Sequence, residues 1–433
     1  MNKFLVEFKE RVQISVKDLV VVFIIIYTVS PLIQQAISQY LTTYFYMAVI
    51  VVAVAYTFIV CPLDKIKEYT FLLVPFIAFE ILEMLHNNNP NTLMTGYQIL
   101  LFMLPICVGY YVIHQKRHLS LYTVTIFAVY IITLVTTIVG CINNPSAART
   151  LATTATSQDA TAVKYNWQNI GGFNFVYSCT LLYPLVILGF KRQKLPVAVT
   201  VLLAAAEFAL AINTEYTISF MLMMFTTLLF LLPKDLSVKQ FVGAALIGVV
   251  AVALFSKVIA GVMNFIGNYI GNPTMGEKMT AVFSGQEAID SMEDRRVDRY
   301  MKSIQSFLQN PLFGTLFTTG KQGAGGHSQI LDTLAQYGII GGGLMFFMYR
   351  ALFKVFYKPF VKKEGFGFVM WLFLQPIVLS TLNPGMWLQN ICMMAPITLC
   401  AIFSADDSRT PVAPPKVLRV RGKGLPEAND LTT

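Results

Sequence analysis

Apolar runs recur along almost the whole chain with short polar intervals between them, near 18–36, 43–61, 70–85, 93–113, 119–141, 173–190, 195–213, 216–232, 242–264, 328–350, 366–383 and 386–403. A helix needs about 20 such residues to cross the ~30 Å hydrocarbon layer of a bilayer. The pattern therefore predicts an all-α, polytopic integral membrane protein of about 12 transmembrane helices. Two intervals, 143–172 and 267–327, are too long to be connectors. They divide the chain into membrane helices at 1–266, a large loop at 267–327, further membrane helices at 328–403 and a polar tail at 404–433.

Of the 433 residues 55% are apolar and 13% charged, and the mean hydropathy of +0.61 exceeds what the core of one soluble domain requires. The first apolar run follows a charged start (Lys3, Glu7, Lys9, Glu10, Arg11, Lys17) without a small-residue cleavage site, so it reads as a retained signal anchor. With the N-terminus in the cytoplasm, 23 of the 32 basic residues fall on the cytoplasmic side, which by the positive-inside rule turns both termini inward. That asymmetry accounts for the net charge of +9, and no nucleic-acid partner is expected. The tail, with Lys416, Arg419, Arg421 and Lys423, reads as a disordered basic end suited to a lipid surface. Cys61, Cys107, Cys141, Cys179, Cys392 and Cys400 lack C-x-x-C spacing and read as small core hydrophobes. No Cys/His cluster, H-E-x-x-H or D-x-D run points to a metal site, so neither metal nor cofactor is expected.

In this orientation both long loops lie outside the cytoplasm, and no cytoplasmic loop is long enough to fold a nucleotide-binding domain. A substrate reacting on the outer side must arrive already energised, for instance as a lipid pyrophosphate, or be moved by an ion gradient.

The large loop has readable order. Ser291-x-x-Asp294 has the form of a capping box, after which Val297, Tyr300, Met301, Ile304, Phe307 and Leu308 recur at helical spacing opposite Arg299, Lys302, Ser303 and Ser306. An amphipathic interfacial helix of about four turns, stopped by Asn310-Pro311, is predicted. Its arginines have two readings: a lid helix meeting lipid headgroups, or Arg296 gripping a phosphate with a fork that Lys cannot reproduce. Gly320, Gly323, Gly325 and Gly326 then let backbone approach a ligand closely and deliver His327 to a helix start. Unpaired N–H groups and the dipole there attract an anion and disfavour imidazolium, which suits a neutral His327 acting as general base. Ser328, Asp332 and Gln336 form a polar stripe expected to face the bundle interior or a wet cavity. Gly338, Gly341, Gly342 and Gly343 suggest close helix packing. Glu80, Glu83, Glu207 and Glu215 are candidates by their depth, Glu83 and Glu215 fitting an interface position equally. His86 reads as a loop histidine, and His114 and His118 flank a cytoplasmic basic cluster.

These residues carry a resemblance. Arg296-x-x-x-Tyr300, then Pro311-Leu312-Phe313-Gly314, then Gly326-His327-Ser328-x-x-Leu331-x-x-Leu334-Ala335-x-Tyr337-Gly338-Ile339-Ile340-Gly341 resembles the signature region of the O-antigen polymerase and O-antigen ligase superfamily, over roughly 291–345. A second echo, in Asn144-Pro145-Ser146-Ala147-Ala148-Arg149 and Asn169-Ile170-Gly171-Gly172-Phe173-Asn174-Phe175-Val176-Tyr177, is similar to capsule-type polymerases. The chain departs from the ligase pattern at Tyr300, Ser328 and Gln336, where Trp, Asn and Glu are common.

The resemblance implies a GT-C-like membrane glycosyltransferase of the bacterial inner membrane. It would join glycan repeat units carried on undecaprenyl pyrophosphate, at the outer face and without metal, into O-antigen or capsule. Arg149 and Arg296 would hold the donor pyrophosphate and His327 would deprotonate or orient the acceptor hydroxyl. Arg299, Tyr300, Ser328, Asp332 and Tyr337 would contact substrate. The implied partners are the lipid-linked donor and acceptor, membrane lipid and a chain-length regulator protein. A ligase transferring finished glycan to a terminal acceptor is the nearest alternative. A transporter or flippase of lipid-linked glycans is the alternative from another class, although the two halves show no internal repeat of the kind common there.

Overall fold

The structure, a computed structural model, describes residues 14–40, 66–87, 92–115, 118–153, 159–230, 294–317 and 324–407, with isolated helical positions in 48–52 and 239–265; for 66–69, 80, 83–87, 92–102, 153, 294–296 and 405–407 it describes the backbone. Apart from those isolated positions, the expected spans at 43–61 and 242–264 lie outside these residues, as do the large loop before 294, Gly320, Gly323 and the tail after 407. So do the side chains of Glu80, Glu83, His86 and Arg296.

Among the described residues the fold is helical, without strands. The first elements are α1 (Val16–Val29), α2 (Pro31–Tyr40), α3 (Ile66–Asn87), α4 (Thr92–Gln115) and α5 (Leu119–Asn143). Two short helices, α6 (Ala147–Thr153) and α7 (Ala160–Trp167), precede α8 (Phe173–Lys191), α9 (Val197–Asn213) and α10 (Thr217–Phe230). After the large loop come α11 (Asp294–Gln309), α12 (Gln329–Leu352) with a π-turn at Phe353–Tyr357, α13 (Lys358–Glu364), α14 (Phe366–Leu382), a second π-turn at Gln389–Met394, and α15 (Ala395–Asp407). By length and apolarity three segments can cross a membrane, Leu119–Asn143, Phe173–Lys191 and Gln329–Glu364, and a fourth can if α1 and α2 make one bent span. Five further apolar helices of 10–17 residues lie among them.

Burial follows the pattern expected of a helix bundle in lipid. α8 is enclosed on all sides, with every residue from Phe175 to Gly189 buried, as an all-round apolar helix must be. α5 buries Tyr122, Ile126, Tyr130, Leu134 and Cys141 on one face and exposes Ile132, Val135, Val139 and Ile142 on the other. A continuous exposed apolar stripe of that kind suits acyl chains better than water. The described cysteines are buried free thiols. Glu207 is buried, and its Oε1 accepts from Tyr130 OH at 2.6 Å, which ties α9 to α5.

Two expected spans are corrected by the fold. The run at 18–36 is broken at Ser30-Pro31, where α1 and α2 meet at 102°, because proline cannot continue a helix from its i−4 carbonyl and pushes its predecessor to extended backbone. Ser30 is accordingly extended. The polar groups at this break are met by Asn169, whose Oδ1 accepts from Ser30 Oγ at 3.0 Å and from the Leu32 N–H at 3.3 Å. Its Nδ2 donates to Thr133 Oγ1 at 3.1 Å. The segment at 143–172 is therefore a packed element with two helices and a polar hub. The second correction concerns the run at 328–350, which is interrupted at Gly338 (φ 61, ψ −154). That region of backbone space is essentially reserved for glycine, so Gly338 acts as a break in the backbone.

Candidate functional site

The break at Gly338 exists to receive the Pro311-Leu312-Phe313-Gly314 turn. The Ile339 N–H donates to Pro311 O at 2.8 Å and the Thr315 N–H to Ala335 O at 3.0 Å, so turn and helix share backbone hydrogen bonds. There is no room for side chains between them. A Cβ on Gly338 would lie 2.4 Å from the Leu312 carbonyl atoms, and one on Gly314, itself at φ +57, would lie 2.5 Å from Ala335 O. This interlock fixes α11, which ends at the turn, against the first half of α12.

Between these two helices the glycine loop is pinned by one carboxylate. Asp332 Oδ1 accepts from Ser303 Oγ at 2.6 Å and from the Gly325 N–H at 3.1 Å, and its Oδ2 accepts from the Ser328 N–H at 3.2 Å. Gly325 lies so close to α11 that a Cβ there would fall 2.0 Å from Arg299 O. Ser328 is the N-cap of α12, its Oγ accepting from the Leu331 N–H at 3.1 Å. His327 is thus presented at the start of α12 between two amides, of Gly325 and Ser328, that Asp332 holds; it is half-buried, with its Nε2 against Nη1 of the exposed Arg299. A guanidinium only donates, so Nε2 is the acceptor in this contact.

The remaining expected residues divide between this centre and its support. Tyr300 OH donates to Leu382 O at 2.7 Å, which ties α11 to the end of α14. Tyr337 is buried with its ring edge-on to Phe79 at 5.8 Å, inside the core next to the break. Arg296 stands on α11 three residues before Arg299, on the same helical face by register.

Arg149, on α6, is held elsewhere on the same end of the bundle. Its Nε lies 3.1 Å from Glu215 Oε2, its Nη2 donates to Glu215 O at 2.8 Å, and its guanidinium sits 5.8 Å from the Tyr216 ring centroid. Glu215 accepts in this way from a left-handed backbone (φ 59). Tyr216 packs on Phe173 and Tyr177 at 6.0 and 5.3 Å, and both of these meet Trp387 at 5.7 and 5.5 Å. Trp387 belongs to the 383–388 loop, whose Asn383 O accepts from the Gln329 N–H at 3.3 Å. A continuous chain therefore runs from Arg149 through an aromatic cluster and the 383–388 loop to the residue after Ser328.

Sequence reasoning missed Glu215 as the partner of Arg149, and it missed Tyr216, Trp387 and Asn383 altogether. The one available signal was the run Asn383-Pro384-Gly385 between two apolar stretches, which reads as a turn but not as a bridge. Among the described residues no three His, Cys, Asp or Glu side chains converge as metal ligands would. Comparison of the chain with protein-family models and with curated proteins finds no match.

Proposed function

We propose that the protein is a bacterial inner-membrane glycosyltransferase of about 12 spans, with both termini cytoplasmic and a GT-C-like arrangement, that polymerises undecaprenyl-pyrophosphate-linked repeat units at the outer face of the inner membrane. The observation that carries this reading is the Arg299–His327 pair presented at the start of α12 by the loop that Asp332 pins. A cation that binds phosphate and an imidazole that takes a proton are the two groups such a transfer needs.

The arrangement also suggests an order of events. With Arg299 donating to Nε2, the imidazole lone pair is occupied. A lipid pyrophosphate entering beside Arg296 and Arg299 offers the guanidinium a stronger, charge-assisted acceptor, and Arg299 turning to it frees Nε2. The acceptor hydroxyl then gives its proton to Nε2 while its oxygen attacks the anomeric carbon from the face opposite the leaving group. The bond from that carbon to the pyrophosphate oxygen breaks, and the lipid pyrophosphate departs with the negative charge. The guanidiniums of Arg296, Arg299 and Arg149 stabilise that charge more as it develops than before, which is the condition for acceleration.

The test is reconstitution. Purified full-length protein in proteoliposomes, given undecaprenyl-pyrophosphate-linked repeat units, should make a ladder of longer lipid-linked glycans, and should do so equally in excess chelator. A single transfer to a terminal acceptor with no ladder would make it a ligase. Movement of the substrate across the bilayer with no new glycosidic bond would replace the enzyme with a transporter.

A further inference from the structure

The far end of α12 carries a basic stripe that the proposed chemistry does not use. The helix holds 24 residues, so at 1.5 Å per residue Arg350 stands roughly a hydrocarbon thickness from His327. Phe346 and Phe347 are 62% and 53% exposed, and Arg350, Lys354, Lys358 and Lys362 follow at four-residue spacing, all exposed.

On an uninterrupted α-helix this spacing would not keep the bases together, because each four-residue step overshoots a full turn by about 40° and the ladder would spiral by about 120°. The π-turn at Phe353–Tyr357 prevents that. There the Lys358 N–H donates to Phe353 O, five residues back, and a turn so widened takes more than four residues. The step from Lys354 to Lys358 then winds back, and the four bases return to one face. Lys354 Nζ also lies 5.8 Å from the centroid of Phe71 on α3, which is itself 57% exposed. The nearby carboxylate, Glu364, is buried and engaged by Arg192 Nε at 2.8 Å and Lys191 Nζ at 3.4 Å, so it leaves the stripe un-neutralised. Among the described residues no acid pairs with any of the four.

We propose that Phe346, Phe347, Arg350, Lys354, Lys358 and Lys362 form a binding site for an anionic phospholipid, with acyl chains along the phenylalanines and the headgroup phosphate on the bases. An exposed aromatic face running into a single-sign ladder within one turn matches the two parts of that molecule in the order a bilayer presents them. The proposal is independent of the glycosyl-transfer reading.

The experiment is native mass spectrometry of the detergent-solubilised full-length protein titrated with phosphatidylglycerol or with phosphatidylcholine of the same acyl chains. Phosphatidylglycerol should bind the more tightly, and millimolar inorganic phosphate should not displace it. Replacing Arg350, Lys354, Lys358 and Lys362 by Gln together should abolish the preference. Single changes such as Lys358→Gln should each cost about fivefold, the equivalent of ~1 kcal/mol per basic residue at a lipid surface. Replacing the three lysines by Arg should keep the preference. Equal affinity for the two lipids, a preference that survives in the fourfold Gln variant, or its loss in the Arg variant would each overturn the site. If the fourfold variant does not fold, single Gln variants with unchanged lipid preference overturn it equally.

Discussion

Gly338 and Gly343 lie five residues apart in α12, and substitution by Ala should have opposite consequences. At Gly338 (φ 61, ψ −154) an L-residue costs about 1–3 kcal/mol in backbone strain. The new Cβ, 2.4 Å from the Leu312 carbonyl, cannot be accommodated unless the 311–314 turn moves off. That would break the bonds from the Ile339 and Thr315 amides, each contributing about 1 kcal/mol net. The sum is about 4 kcal/mol, or roughly a thousandfold shift toward the undocked turn at 1.4 kcal/mol per factor of ten. A Cβ on Gly343 meets nothing within 4 Å, and Ala there should stabilise the helix by up to ~1 kcal/mol. Hydrogen exchange read by mass spectrometry on peptides covering 311–316 and 335–340 reports the docking directly. Gly338→Ala should lose about three orders of magnitude of protection at Ile339 and Thr315, and Gly343→Ala should lose none. Unchanged protection in Gly338→Ala, or equal loss in both variants, would refute the interlock.

Asn169→Ala leaves the Ser30 hydroxyl, the Leu32 N–H and Thr133 without their partner, and at about 1–3 kcal/mol for each strongly buried group should lower stability by ~3 kcal/mol in a detergent thermal melt. Asn169→Asp keeps the acceptor and should lose less. At the other arginine, Arg149→Ala should abolish chain extension while the protein still inserts, and Arg149→Lys should restore at most about 1% of turnover, since an ammonium cannot reproduce the forked hold on Glu215. Normal glycan length on a gel of surface polysaccharide from Arg149→Ala cells would remove that residue from the site.

The all-helical class was legible because a bilayer imposes one rule, long apolar runs, that composition records directly. Helix ends were legible where local chemistry sets them, as at Asn310-Pro311 and at Ser328, whose side chain caps its own helix. Breaks inside the runs were not. Pro31 and Gly338 lie within continuous apolar stretches, and hydropathy is blind to backbone direction. Asp332 was legible as a polar residue that must face inward, yet which groups it would meet depended on Ser303 and Gly325, 29 and 7 residues away. The Glu215 partner of Arg149 is 66 residues distant, and no periodicity encodes such a pairing. Arg299 was assigned to substrate contact by motif, and its place against His327 follows only from how α11 lies on α12.

The most direct test of the account is to measure turnover and donor affinity together for His327→Gln and Arg299→Gln, using purified protein and lipid-pyrophosphate-linked repeat units. If His327 takes the acceptor proton and Arg299 leaves it to hold the pyrophosphate, His327→Gln should lose turnover by at least about a hundredfold with donor affinity retained, whereas Arg299→Gln should weaken donor binding as well. Near-normal turnover in His327→Gln would show that the imidazole serves only the loop, and unchanged donor affinity in Arg299→Gln would contradict the hand-over from histidine to phosphate.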